Sequence, residues 1–253
     1  MDLGLSGKAV LITGGASGLG RETARYMADE GARIAISDQN AEGVAEVVSE
    51  LEGMGCKAIG IQADVRSYEE CQRMADEVKA AFGTVDVLLA SAGVGGSQKF
   101  FVDTEPEDWE LMLQVNVRGI LNTNRAIAPL MVESGGGSII NIASEAGKVG
   151  EKRIVVYSAT KGAVISFSKA FAIEMGRFNV RVNAVCPGVT MTAMTEGYGK
   201  PGSERYEAAA KLYPMGRLGE PEDIASMITY LASDQSTWLT GQAISVNGGF
   251  GRS

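Results

Sequence analysis

The chain has 253 residues, 45% hydrophobic and 21% charged, with a net charge of −8 and a pI of about 4.8. That acidic balance excludes nucleic-acid and anionic-membrane partners, both of which need a basic footprint. Histidine is absent, which excludes a Ser-His-Asp triad and His-ligated metal sites; proton transfer must use a carboxylate, Lys, Tyr or Cys.

Apolar β-branched runs alternate with helical patterns almost to the end. "KAVLIT" (8–13) reads as a strand, followed by a glycine turn and a helix through about Glu30. "ARIAISD" (32–38) is the second strand, with a helix over 40–52. "KAIGIQAD" (57–64) is the third, with a helix over 68–82. "VDVLLASAG" (85–93) is the fourth, and one long helix from Glu105 to about Val132 follows. "GSIINIAS" (137–144) and "VRVNAVCPG" (180–188) flank a helix that holds Tyr157. A helix near 221–233 leads into a seventh strand, "QAISVNGG" (242–249).

Strands this short and apolar on both faces belong in a parallel sheet covered by helices. Right-handed crossovers make it a doubly wound, Rossmann-type α/β fold of about seven strands with helices on both faces. No linker interrupts the pattern, so a single domain is expected over 1–253. The stretch 189–220, rich in Gly and Pro, is expected to be an irregular lid. Cys56, Cys71 and Cys186 are widely spaced and read as reduced thiols. With no leader pattern and no run of ~20 apolar residues, a cytoplasmic location is expected.

"TGGASGLG" (13–20) lies between the first strand and the first helix. Gly14 permits a tight turn, Gly18 lets the backbone approach a pyrophosphate, and Gly20 lets helix and strand pack closely. The helix start then favours the anion. Asp38 ends the second strand, where an acid holds the adenosine ribose hydroxyls; it also suits a helix N-cap. Gln39 and Ser17 are uncharged, so nothing there offsets repulsion of a 2′-phosphate, and NAD is expected over NADP. Arg21 is the one residue positioned to spoil that preference.

Tyr157 and Lys161 stand at i and i+4 on one helix face. Alone, the pair is noise. In the order Thr13-Gly14-x-x-x-Gly18-x-Gly20, Asp38, Asp64-Val65, Ala92-Gly93, Asn116, Ser144, Tyr157-x-x-x-Lys161 and Pro187-Gly188, however, the whole chain resembles the short-chain dehydrogenase/reductase family. The resemblance implies that Asp64 lies near the adenine amino group and that Val65 packs near the ring. It makes Ser17, Leu19, Ala92, Gly93, Pro187 and Gly188 part of the cofactor site, and it sends Thr190 and Thr192 to the nicotinamide carboxamide. Asn116 would hold a water in a proton relay, and Ser144, thirteen residues before Tyr157, would meet the substrate. Taken singly, Asn116 also reads as a polar residue at a helix kink, Ser144 as a strand-end cap and Asp64 as a turn former. One departure is Ser91, where the family usually has Asn.

A phenol, with a pKa of ~10, is a poor base, and lowering it to ~7 takes about 4 kcal/mol. One positive charge ~4 Å away at an effective dielectric of ~20 supplies about that much. Lys161 is therefore expected to make Tyr157 acidic, with the oxidised nicotinamide ring as a second charge. Ser144 then stabilises the substrate oxygen and Tyr157 takes the proton. The reaction class is oxidation of a secondary alcohol to a ketone, or the reverse. Segments 94–101, 145–156 and 189–215 should line the substrate pocket, with Met194 on an adaptable wall. Lys148, Lys152 and Arg153 read as a solvated charged loop. A 3-oxoacyl-carrier-protein reductase is the near alternative, and a non-catalytic dinucleotide-binding regulator the alternative from another class. The resemblance further implies a homotetramer, with 105–132 and 154–178 packing across one two-fold and the C-terminal strand region across another.

Overall fold

The computed structural model describes residues 2–251. Its strands are β1 (Ala9–Thr13), β2 (Arg33–Asp38), β3 (Ala58–Gln62), β4 (Val87–Ala90), β5 (Gly137–Ile142), β6 (Val180–Pro187) and β7 (Ala243–Val246), each inside a predicted segment. They form one sheet in the order β3-β2-β1-β4-β5-β6-β7, every neighbouring pair parallel. The chain thus runs outward from β1 to β3, returns past β1, and runs outward again from β4 to β7, which is the doubly wound order.

The helices are α1 (Gly18–Asp29), α2 (Ala41–Gly53), α3 (Tyr68–Phe82), α4 (Glu107–Met112), α5 (Ile120–Ser134), α6 (Ala146–Val149), α7 (Val155–Met175), α8 (Glu204–Ala210) and α9 (Pro221–Ala232). Alternation along each strand divides the core into two layers. Ala9 and Leu11 of β1 join Met74, Ile127 and Val164 from α3, α5 and α7. Val10 and Ile12 join Met27, Val47 and Ile228 from α1, α2 and α9. A sheet buried on both sides explains why its strands read as continuous apolar runs.

Two expectations need correction. The single helix predicted over 105–132 is α4, a π-helical stretch Leu113–Gly119, and α5. The widened turns carry Asn116, which is fully buried and bonded to another segment; such bulges often mark functional positions. The lid is not irregular either. It contains α8 and a small core of Tyr206, Ala209, Ala210, Tyr213 and Leu218, against which Met191 and Tyr198 pack. Among the described residues no helix is long and apolar enough to cross a membrane.

A buried polar chain ties α5, β5 and α7 together. Asn124 Nδ2 donates to Asn141 Oδ1 (2.9 Å), Asn141 Nδ2 to Ser168 Oγ (3.0 Å), and Ser168 Oγ to the Val164 carbonyl (2.8 Å). Replacing Asn141 with Leu strands one N–H of the Asn124 amide, whose other bond runs to the Ile120 carbonyl (2.8 Å), and one side of Ser168 in the core. We expect Asn141→Leu to cost about 2–4 kcal/mol of unfolding free energy. The check is a lower urea midpoint at unchanged m-value.

Candidate active site

A cleft of about 660 Å³ opens at the C-terminal ends of the strands, where the chain leaves β1 toward β2 on one side and β4 stands on the other. Ligands of doubly wound sheets bind at such a switch point. The glycine turn forms its floor. Gly14 has φ +65°, and a Cβ there would lie 2.7 Å from the Ala92 Cα, so the turns after β1 and β4 pack backbone to backbone. A Cβ on Gly20 would overlap the Gly14 carbonyl. Gly18 (φ +51°) faces open ground, the nearest side chain to its missing Cβ being Thr192 at 3.5 Å. Ser17 precedes α1 without capping it, and no acid lies in the first turn. The first-turn amides therefore remain for an anion in the cleft that Ser17, Gly18 and Leu19 line. Donors and space together fit a dinucleotide pyrophosphate.

Asp38 reaches the cleft from the end of β2, half-buried. Its Oδ1 accepts the Asn40 N–H (3.1 Å) and its Oδ2 the Ala16 N–H (3.3 Å), so it braces the glycine turn. The cap of α2 is Asn40, which accepts the Gly43 N–H, and not Asp38. Arg21 is paired with Glu50 of α2 (2.7 Å), which Arg25 also contacts (2.6 Å). Asp64 and Val65 line the same end. Arg66, missed in the sequence, pairs with Asp64 at 2.6 Å and holds its carboxyl below the usual carboxylate range.

At the other end of the cleft lie Ala92, Gly93, Ser144, Tyr157 and Lys161. Asn116 is buried beneath them; its Oδ1 accepts the Val94 N–H (2.8 Å), and its Nδ2 donates to the Val94 carbonyl (2.9 Å) and to Thr160 Oγ1 (3.2 Å). Lys161 is buried too, its Nζ donating to the Ile142 carbonyl at 2.8 Å. A Cβ on Gly93 would lie 3.4 Å from both Asn116 Oδ1 and Lys161 Nζ, so the two polar ends bracket that glycine. Thr160 and the Ile142 carbonyl are positioning groups that motif spacing did not reveal.

The electrostatics differ from the sequence expectation. Lys161 Nζ stands 5.8 Å from the centroid of the Tyr157 ring. Burial raises the Tyr157 phenol; the Ser144 hydroxyl pulls it down and the Glu151 charge pushes it up again. Lys161 is itself lowered to about 8 by burial. In the chain alone, then, burial dominates and the Tyr157 phenol is raised rather than lowered.

On the remaining side Pro187 and Gly188 end β6, and the buried Thr190 donates from Oγ1 to the Gly188 carbonyl (3.1 Å). Thr192 and Met194 line the cleft from the lid, Met194 exposed. Of all the predicted site residues only Gly20 and Asn116 do not face the cleft; both support it from below. Of the predicted pocket segment 94–101, Val94, Gly95, Gly96 and Gln98 reach the cleft. Phe101 instead stacks on Trp109, centroids 5.3 Å apart. Glu151 and Tyr198 also line the cleft.

The shift at Lys161 has a signed consequence. Its folded pKa of about 8 lies below the 10.5 of a free lysine, so the unfolded chain holds that proton more tightly. Between those two values stability therefore rises with pH, and the gain is absent below the lower one. Wild type is expected to gain stability relative to Lys161→Met between pH 8 and 10.5. Paired urea unfolding curves measure this; a constant difference across that range counts against a buried ammonium.

A family model described as enoyl-(acyl carrier protein) reductase matches residues 14–251. The chain is 37% identical over 245 residues to a 3-oxoacyl-[acyl-carrier-protein] reductase of Thermotoga maritima, covering 97% of this chain and 98% of that one. It is also 37% identical over 249 residues to a D-threitol dehydrogenase of Mycolicibacterium smegmatis, covering 98% and 95%. A short-chain type dehydrogenase/reductase from Mycobacterium marinum superposes with a TM-score of 0.92 at 32% identity, covering 98% and 97%. With its glycine turn, its Ser144, Tyr157 and Lys161 around one cleft and these relatives along nearly its full length, the chain belongs to the short-chain dehydrogenase/reductase family of oxidoreductases.

Proposed function

We propose that the protein is an NAD-dependent dehydrogenase, acting as one domain, that interconverts a secondary alcohol and its ketone. One observation carries this reading: Ser144, Tyr157, Lys161 and Asn116 gather around one end of a cleft whose other end holds the glycine turn and Asp38. Bound NAD⁺ supplies the hydride-accepting ring and a positive charge near the phenol. Ser144 donates a hydrogen bond to the substrate oxygen and stabilises charge that develops there. Tyr157 accepts the hydroxyl proton in oxidation and returns it in reduction. Lys161, fixed by the Ile142 carbonyl, holds the nicotinamide ribose hydroxyls and adds its charge in favour of the phenolate. Asn116 Oδ1 and Lys161 Nζ, both beside Gly93, hold the water that links the phenol to solvent.

The preference for NAD is supported by the Asp38 carboxylate at the ribose end, with the neutral Gln39 beside it. Arg21, the cation that would oppose this, is neutralised by Glu50. A 2′-phosphate would meet a carboxylate, and among the described residues Arg21 and Arg66 are each already paired with an acid. Likeness to the Thermotoga relative favours a second reading, reduction of a 3-oxoacyl thioester; Asp38 argues against NADP as its reductant.

We further propose a homotetramer. Trp238, 97% exposed near the C-terminal strand, and Ile173, 84% exposed on α7, are large apolar side chains left in solvent. Leu113, which opens the π-helical stretch, and Leu121 at the start of α5 are also exposed. Self-complementary faces of this kind close under dihedral symmetry.

Tyr157→Phe is expected to reduce alcohol oxidation by about 10²–10⁴-fold while NAD⁺ still binds by calorimetry. Undiminished turnover would remove the basis of the scheme, and a wild type that binds NAD⁺ and reduces none with any alcohol would leave a regulator. Asp38→Ala should raise kcat/KM for NADP relative to NAD by at least about 10-fold, since like charges in contact cost several kcal/mol. Trp238→Arg should convert a tetramer to a dimer by light scattering; a wild-type monomer contradicts the assembly.

A further inference from the structure

We infer that Glu145 is a positioning residue for Ser144: its buried side chain fastens the turn that carries the serine to β7, and so sets where the Ser144 hydroxyl stands. The inference rests on the dehydrogenase reading above, which gives Ser144 its contact with the substrate oxygen.

Glu145 follows Ser144 directly and opens α6. Its main-chain N–H donates to the carbonyl of Pro187, the last residue of β6, at 2.9 Å. Its own carbonyl accepts the N–H groups of Lys148 (2.9 Å) and Val149 (3.1 Å). The side chain is 1% exposed. Its Oε2 accepts the Ser245 hydroxyl (2.8 Å), and Ser245 Oγ in turn accepts from Lys148 Nζ (2.8 Å). A serine hydroxyl has one proton, so with the ammonium donating to it that proton points at the carboxylate. An acid and a base one turn apart thus share a hydroxyl of β7, through charge-assisted bonds that hold α6 to the edge of the sheet.

The segment 247–251 closes over the same carboxylate. Asn247 Nδ2 donates to the Gly251 carbonyl (3.0 Å), the Phe250 N–H donates to the Asn247 carbonyl (3.0 Å), and Phe250 stacks on Tyr213, centroids 5.2 Å apart. A Cβ on Gly251 would overlap Glu145 Oε1. Among the described residues that oxygen has no hydrogen-bond partner. Burying a carboxylate with one oxygen unsatisfied is unfavourable, and an apolar side chain would fill the space without that cost. Stability therefore does not account for an acid at this position. What the acid does that an alkyl group cannot is bind Ser245 and so fix the start of α6.

Ser144 depends on that start. Its Oγ accepts the Ala146 N–H of α6 (3.2 Å) while its hydroxyl also bonds the Tyr157 phenol. If α6 is released from β7, the Ala146 N–H moves and the serine moves with it. The glycine turn follows β1, with β4, β5 and β6 between that strand and β7, so dinucleotide binding should not register the change.

The test is a double-mutant cycle. It reads the single-turnover rate of alcohol oxidation per NAD⁺-binding site, with sites counted by calorimetry so that unfolded protein does not contribute. Glu145→Leu is expected to slow the reaction by roughly 10- to 100-fold, the scale of a misplacement of about 1 Å, with the Kd for NAD⁺ unchanged. On a Ser144→Ala background the same substitution should have little effect, because the group it positions is gone. Glu145→Gln, which still accepts the Ser245 hydroxyl, should recover most of the loss. Ser245→Val removes the shared hydroxyl and Gly251→Ala presses on Oε1; both should reproduce the Leu pattern, and they carry the cycle where Glu145→Leu does not fold. Equal losses with and without Ser144, or an undiminished rate in these variants, overturn the inference and leave the dehydrogenase reading intact. A wild type that oxidises no alcohol overturns both.

Discussion

The site is organised around one buried ammonium. Lys161 lies inside the protein with a single carbonyl bond, to Ile142, and its pKa falls to about 8. Burying a charge is unfavourable unless its surroundings compensate. The local packing keeps that cation in place. α6 passes so near that a Cβ on Gly147 would lie 2.6 Å from the Lys161 carbonyl carbon, and Gly93 closes in from the other side. Thr160, one residue earlier, is gripped by Asn116, which in turn holds both main-chain groups of Val94. Helix α7, the π-helical stretch and the turn after β4 are thereby locked to one another, and they meet beneath the part of the cleft that Ser144, Tyr157 and Lys161 line.

The same helix connects this site to the core. Its buried face carries Lys161, Val164, Ile165, Ser168, Ala172 and Met175. Lys161 and Ser168 are two turns apart on that face. One bonds the end of β5 and the other receives Asn141 from within it. Both polar contacts are made to β5, a strand in the middle of the sheet, so the register of α7 on the sheet sets the height of Tyr157 above it. Asn124 continues the chain into α5, the helix that follows the π-helical turns carrying Asn116. Stability and site geometry are therefore coupled through the same few buried amides.

Much of this was legible in the sequence. All seven strands lie inside their predicted runs because a sheet buried on both faces writes itself as short apolar segments. The glycine turn was legible for a similar reason: Gly14 and Gly20 are dictated by backbone contact, and only one residue type fits. What escaped had no such local signature. A π-helical stretch keeps a helix-like pattern, so 113–119 read as continuous helix until its bond to Val94 was seen. The lid looked irregular because Tyr206, Tyr213 and Leu218 make a core only after the chain folds back. The rise of the Tyr157 phenol has no sequence signature, because it comes from burial. Nothing in the charged run 151–153 singles out Glu151 in the sequence; in the structure it is half-buried while Lys152 and Arg153 are exposed.

The cleft has a charge order that follows from these placements. A carboxylate, Asp38, stands at one end, a second, Glu151, at the other, and the buried cation Lys161 lies near the reacting centre. Carboxylates without a basic partner are acceptors, and the groups they suit in a closed site are neutral donors. Asp64, by contrast, is satisfied by Arg66, and the Arg21 cation by Glu50. Those paired ions are partly exposed, whereas Asp38 and Glu151 have no ion-pair partner among the described residues. On the proposed reading Asp38 meets the ribose hydroxyls and the Lys161 ammonium stands where an anion forms on the phenol.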